Sequence, residues 1–141
     1  MLNKRRILTI ISLAVAGILL VSSPFMFEAW KKKRTFDRAF DDLAHALELR
    51  DFETVYEMGS AEFKSVATQR TLQLQFDNLN REFGNLVSVE RGTTVVQGTG
   101  TPVTWVGVTK TRVILQRGTI TLVYELHLDD GVWRLHGIHR E

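Results

Sequence analysis

Three of the four histidines in this 141-residue chain lie in its last fifteen residues: His127, His136 and His139 in "HLDDGVWRLHGIHRE". Grouped imidazoles suit two chemistries, proton transfer near neutral pH and coordination of a divalent transition ion. Cysteine is absent, which excludes thiolate zinc sites, iron–sulfur clusters, disulfides and a cysteine nucleophile. Whether the histidines act together depends on the faces they occupy. The stretch reads as the end of a β-hairpin turning on Asp130-Gly131, because a two-residue turn with glycine second is a strong hairpin signal. That turn sets Leu128 opposite Trp133, His127 opposite Arg134, Leu126 opposite Leu135 and Glu125 opposite His136. Side chains alternate along a strand, so His136 and His139, three apart, should point to opposite faces. His127 and His136 share a face diagonally, with Arg134 and Glu125 as direct neighbours. A cationic arginine discourages a metal, and Glu125–His136 reads as a cross-strand polar pair. The expectation is a structural hairpin with Trp133 as a core plug, and no catalytic or metal-binding residues.

Other chemistry is sparser. Asp37, Asp41 and Asp42 crowd one stretch, but calcium loops need a glycine-punctuated spacing that is missing there; they read as a solvated helix face. The fragment Gly98-Thr99-Gly100 is no nucleotide loop, since Val103 stands where the motif's third glycine belongs and no helix follows. There is no phosphate-binding lysine motif and no internal repeat. No cofactor is expected.

Four strands and a helical half must position these residues. After Asn85 the hydrophobic period is two. "LVSVERGTTVVQ", "VTWVGVTKTRVILQ", "TITLVYELHL" and "VWRLHGIHR" read as strands, separated at residues 98–102, Arg117-Gly118 and Asp130-Gly131. A turn on Arg117-Gly118 sets Leu115 opposite Ile120 and Val113 opposite Leu122. One face then collects Val113, Leu115, Ile120, Leu122, Tyr124, Leu126, Leu128, Trp133 and Leu135. The other collects Arg112, Gln116, Thr119, Thr121, Glu125, His127, Arg134 and His136, dotted with Ile114, Val123 and Ile138. The strand around Val103–Gln116 does not keep one phase, since Val106 and Val108 oppose Trp105, Val113 and Leu115. Gly107 is expected to mark a bulge or bend there.

Before the sheet, Phe36, Phe40, Leu43, Ala44 and Leu47 recur on one face of a helix running from Lys31 to about Leu49, with His45 beside that stripe. Residues 52–56 suggest a short helix, Gly59-Ser60 a break, and Ser60 the N-cap of another short helix. A longer helix follows over Thr68–Glu82, with Gly84 suited to its left-handed cap.

Ile7 to Phe27, "ILTIISLAVAGILLVSSPFMF", carries no charge. About 20 apolar residues span a bilayer core as a helix. Trp30 suits an interfacial anchor. The rival reading is a cleaved signal peptide cut after Ser23, which Pro24 directly beyond the cut disfavours. Lys4, Arg5 and Arg6 on one flank nearly balance Lys31, Lys32, Lys33 and Arg34 on the other, so positive charge does not set the orientation. The second cluster reads as a stop-transfer anchor, or alternatively as a basic patch facing anionic lipid. Residues 1–34 hold seven basic side chains against one acidic, while residues 35–141 hold eleven against fifteen. The body is thus mildly acidic, which argues against nucleic acid as a partner. The chain divides into a membrane anchor (1–30, spanning about 7–27), a basic juxtamembrane segment (31–34) and an α+β domain (35–141).

An amphipathic helix, then "RDFETVYEMGSAEFK", a helix closing on "FG" and four antiparallel strands ending in "DDGVWRLHGI" resemble the nuclear transport factor 2-like superfamily, which shares a cone shape with cystatin-like folds. The resemblance covers about residues 33–140, and the chain looks in particular like small bacterial members that follow a signal or membrane anchor. It implies a four-stranded antiparallel sheet curved around the helices, a pocket inside the cone, and dimerisation, which many members show. The superfamily includes ketosteroid isomerases and scytalone dehydratase, whose pockets carry an acid–base carboxylate or histidine with oxyanion donors. No matching set occurs here, because the residues expected to face inward are overwhelmingly apolar or aromatic. Membrane-anchored members also serve as assembly subunits of bacterial secretion machines. Fold likeness does not transfer activity.

The expected function is therefore that of a single-pass protein of the cytoplasmic membrane. It would present a non-enzymatic, cone-like domain outside the cytoplasm for interaction with an envelope protein or a second copy. The alternative is a small apolar ligand held in the cone, with Tyr56, Trp105, Tyr124 and Trp133 as lining. An isomerase- or hydratase-type enzyme comes third and would need His139, Asp41 or Asp77 inside the cone.

Overall fold

A computed structural model describes the backbone of residues 4–141 and the side chains of residues 24–141. Helix α1 runs from Lys4 to Glu48 as one element that includes Pro24. The basic segment 31–34 is thus helix, because no glycine or proline interrupts the chain between Phe25 and Glu48. The i,i+4 ion pairs Glu28–Lys32 (3.7 Å) and Lys33–Asp37 (2.9 Å) run along it. Most of the expected membrane span, residues 7–23, lies outside the described side chains. Among the described residues no helix is long and apolar enough to cross a membrane.

At the end of α1, Arg50 adopts φ 57°. Its N–H bonds to the Leu47 carbonyl, and that of Asp51 to Ala46. This left-handed cap satisfies carbonyls that the helix leaves free. Asp51 then caps α2 (Phe52–Glu57), accepting from the Thr54 N–H at 3.1 Å. Ser60 caps α3 (Ala61–Val66) through the Phe63 N–H, and Thr68 caps α4 (Gln69–Phe83). Gly84 ends α4 with φ 81°.

The strands β1 (Leu86–Thr99), β2 (Thr104–Leu115), β3 (Gly118–Asp129) and β4 (Val132–Arg140) form one antiparallel sheet in sequence order. The fold is α+β, with helices packed on one face of an open sheet. The core joins Phe36, Phe40, Leu43 and Leu47 of α1 to Val113, Leu115, Ile120, Leu122, Tyr124, Leu126, Trp133 and Leu135. His45 is exposed; Ala46, rather than His45, turns inward.

The sheet differs from expectation in three ways. First, β2 keeps one phase. Thr109 and Thr111 are fully buried on the inner face, and Gly107 pairs in continuous register with both neighbours. Gly107 is no bulge. It lies directly beneath the Phe36 ring, where a Cβ would collide with the ring carbons. Second, the β2–β3 turn centres on Gln116-Arg117, so Leu115 pairs with Gly118 and Val113 with Ile120. Gly118 belongs to the strand, where a Cβ would come within 3.0 Å of Phe83. The Arg117 N–H instead bonds to the Phe83 carbonyl, tying the turn to the end of α4.

Third, the β3–β4 hairpin turns on Asp130-Gly131, both at positive φ, and pairs as expected as far as Leu126–Leu135. A bulge then intervenes, and Glu125 pairs with Gly137 rather than His136. His136 is the extra residue, and beyond it the alternation inverts. Ile138, opposite Tyr124, packs against the core instead of dotting the outer face. His139, opposite Val123, joins His127 and His136 on the outer face instead of pointing away from them. The bulge gives the apolar side chain to the core and leaves the histidine at the surface, as burial energetics favour.

Candidate functional site

Helix α4 packs on α2, with the Phe52 and Phe76 rings 5.5 Å apart, and of its own residues only Leu72 is buried. Its apolar face stands over the sheet rather than pressing into it. The space beneath is a cavity of about 260 Å³ walled by Leu47, Phe76, Leu79, Val89, Val113, Leu122 and Tyr124, with Arg50, Asn80 and Asn85 also lining it. Arg50 is ion-paired with Asp77. Burial pushes the Tyr124 hydroxyl up to about 12, partly offset by a hydrogen bond with Thr111, so at neutral pH it is an uncharged hydrogen-bonding group. No histidine lines the cavity, and its one carboxylate, Glu48, is exposed. The volume lies just below the ordinary range of small-molecule pockets.

Of the four aromatics expected to line a pocket, Tyr124 lines this cavity and Trp133 lines a separate open groove against α1 and α2. Tyr56 lies at the core's margin beneath the Lys64 ammonium. Trp105 faces Phe25 of α1 with ring centroids 6.3 Å apart. Trp133 is a buried core residue, edge-on to Phe36 and donating to the Thr35 hydroxyl at 2.9 Å. Pattern alone could not separate core from cavity, because both are apolar. The usable signal was the spacing of Leu72, Phe76, Leu79 and Phe83, a long apolar face on a helix with little to cover it. Asp41 pairs with Arg91 of β1, Asp77 pairs with the cavity-lining Arg50, and His139 is exposed; none of these three residues considered for acid–base work lines the cavity itself.

Lys31, Lys32, Lys33 and Arg34 are consecutive on a helix, so they point in directions about 100° apart. They form a collar around α1 rather than one patch. Lys31 stands over the Phe27 ring at 4.4 Å and Arg34 over Trp30 at 5.0 Å. Phe25, Met26, Phe27 and Trp30 are each more than half exposed.

The β1 edge is the second distinctive surface. Among the described residues, no backbone segment pairs with its free side. The register shifts between Arg91 and Thr94, and Glu90 and Arg91 charge the first part. From Thr94 to Thr99 the edge is regular and uncharged, with Val95 half exposed.

On the outer sheet face the bulge assembles a third cluster. Glu125 Oε1 lies 2.6 Å from His127 Nε2, and the His127 and His136 rings stack at 3.9 Å with planes 5° apart. Glu62, in the first turn of α3, lies nearby. Its carboxyl is held below the usual range by its own backbone N–H and the Ser60 hydroxyl, with lesser contributions from the charges of His136 and His127.

No protein-family model matches the chain. No curated protein matches it either.

Proposed function

We propose that the chain is a single-span membrane protein that carries a non-enzymatic, cone-like domain of the nuclear transport factor 2-like kind. In this reading the domain lies outside the cytoplasmic membrane and assembles there with an envelope protein or a second copy. The observation that carries the reading is the free, uncharged edge from Thr94 to Thr99. Exposed edges of this kind accept strands from other chains. The edge ends beside Trp105, which meets Phe25 of α1, so it lies close to where that helix carries its aromatic and basic collar. Such collars suit a membrane–water boundary.

Two measurements test this reading. Cysteine is absent, so Thr99→Cys introduces a single thiol. An impermeant thiol reagent should label it in intact cells; protection until lysis would place the domain in the cytoplasm and end the envelope reading. A photo-crosslinking residue at Gln97 in membranes should yield a discrete protein adduct that Val95→Lys removes. An adduct unchanged by Val95→Lys, or no protein adduct, would reject edge pairing.

The cavity favours a second reading, a small apolar ligand bound under α4. Filling it with Leu79→Trp should abolish binding of a short-chain fatty acid or comparable apolar probe. Equal probe binding by the two proteins would reject that reading.

A further inference from the structure

The geometry points to a binding site for a divalent transition ion of the zinc class on the outer sheet face, built from Glu125, His127 and His136. One ligand atom from each residue lies within 4.8 Å of those from the other two. Two imidazoles and a carboxylate form a donor set that such ions use, at about 2.0–2.2 Å from the metal. Donors at that distance in tetrahedral array stand about 3.3–3.5 Å apart. The observed cluster therefore closes on an ion through side-chain adjustment alone, with the Glu125–His127 hydrogen bond exchanged for two metal bonds.

Two features favour a ligand over a plain surface pair. The three side chains are all partly buried, and His136 Nδ1 is shut off from solvent with no hydrogen-bond partner. Buried polar atoms in folded proteins are nearly always satisfied, so an orphaned imidazole nitrogen calls for a partner. The β4 bulge falls at His136 itself, and bulges commonly re-aim side chains at sites. The two rings stack nearly parallel, and imidazole lone pairs lie in the ring plane, so closure on an ion requires one ring to turn out of the stack. Arg134, the cross-strand neighbour of His127, is the cation that would oppose an ion here. It also lines the groove against α1 and α2, together with Arg38 and the carboxylates Asp42, Glu53 and Glu57. Glu62 adds a further carboxylate near the cluster. Three protein donors leave a coordination position for water or for a side chain of another protein.

The test uses the full chain in detergent, without a histidine tag and stripped with chelator. With no cysteine and four histidines, competing sites are few. Cobalt(II) should bind one ion per chain with visible absorption, and zinc should displace it. Glu125→Gln, His127→Gln and His136→Gln should each weaken cobalt binding at least tenfold, whereas His139→Gln and His45→Gln should change it less than threefold. Zinc should raise the unfolding temperature of the unmodified chain and not that of Glu125→Gln. If a histidine variant fails to fold by circular dichroism, Glu125→Gln carries the test. The proposal is overturned by the absence of saturable binding, by unmodified affinity in Glu125→Gln or a folded His136→Gln, or by a loss that tracks His139 or His45.

Discussion

The two edges of the sheet are built in opposite ways. On the β4 side the edge is closed at Leu135. The Ser60 N–H donates to the Leu135 carbonyl and the Leu135 N–H to that of Met58, each at 2.8 Å, so the α2–α3 connection serves as a short parallel strand. Leu135 is fully buried there. Gly59 is required at the crossing, since a Cβ would come within 2.6 Å of the Phe63 ring. On the β1 side Val87 and Val95 are 63% and 51% exposed. Leucine and valine are similarly apolar, so composition does not distinguish the edges. The difference is whether another segment satisfies the edge's backbone groups. Stability should therefore concentrate at β4 and recognition at β1.

Substitutions at the two edges should separate these roles. The largest expected effect is at the closed edge, where Leu135→Ala should cost about 2–5 kcal/mol in chemical denaturation, the range for cavities in a packed core. A loss comparable to that of an exposed valine would mean that β4 is not held as described. Ser60→Ala removes the acceptor for the Phe63 N–H at the same edge and should cost about 1 kcal/mol. Val95→Lys at the open edge should change stability by no more than about 0.5 kcal/mol while removing the Gln97 crosslink. A large destabilisation there would show that the strand is supported from its free side.

The smallest effect concerns acid. The Thr54 hydroxyl and N–H hold the Asp51 carboxyl below its usual value of 3.8. A carboxylate whose folded pKa is depressed contributes stability above its unfolded pKa and loses it as pH falls through the folded pKa. Asp51→Asn keeps a capping side chain but should flatten the fall in urea midpoint below about pH 4. An unchanged acid limb would show that the charge of Asp51 contributes nothing.

Much of the architecture was legible because it rests on local chemistry. Ser60 marks a helix start by side-chain capping, and Gly84 marks a helix end by its positive φ. Asp130-Gly131 marks a hairpin, and alternation from Ile120 to Leu128 marks which face meets the core. The errors arose where a neighbour distant in sequence decides. Gly107 and Gly118 looked like bulge and turn residues, yet each makes room for a ring, Phe36 and Phe83. Thr109 and Thr111 looked out of phase because they are polar, although the Thr94 hydroxyl (2.6 Å) and the Leu122 carbonyl (3.3 Å) satisfy them inside. The cavity was legible only as a surplus of apolar residues, without its location.

The opening histidines show the same division. Their types, the hairpin that carries them, and the shared face of His127 and His136 all follow from residue identity and the period of a strand. The bulge at His136, the inversion that brings His139 outward, and the stacking of two rings beside Glu125 do not. They depend on which of Ile138 and His139 the core admits, and it is Ile138, opposite Tyr124, that packs against it. Periodicity is a property of one strand, but a break in it reflects competition among all the elements that share the core.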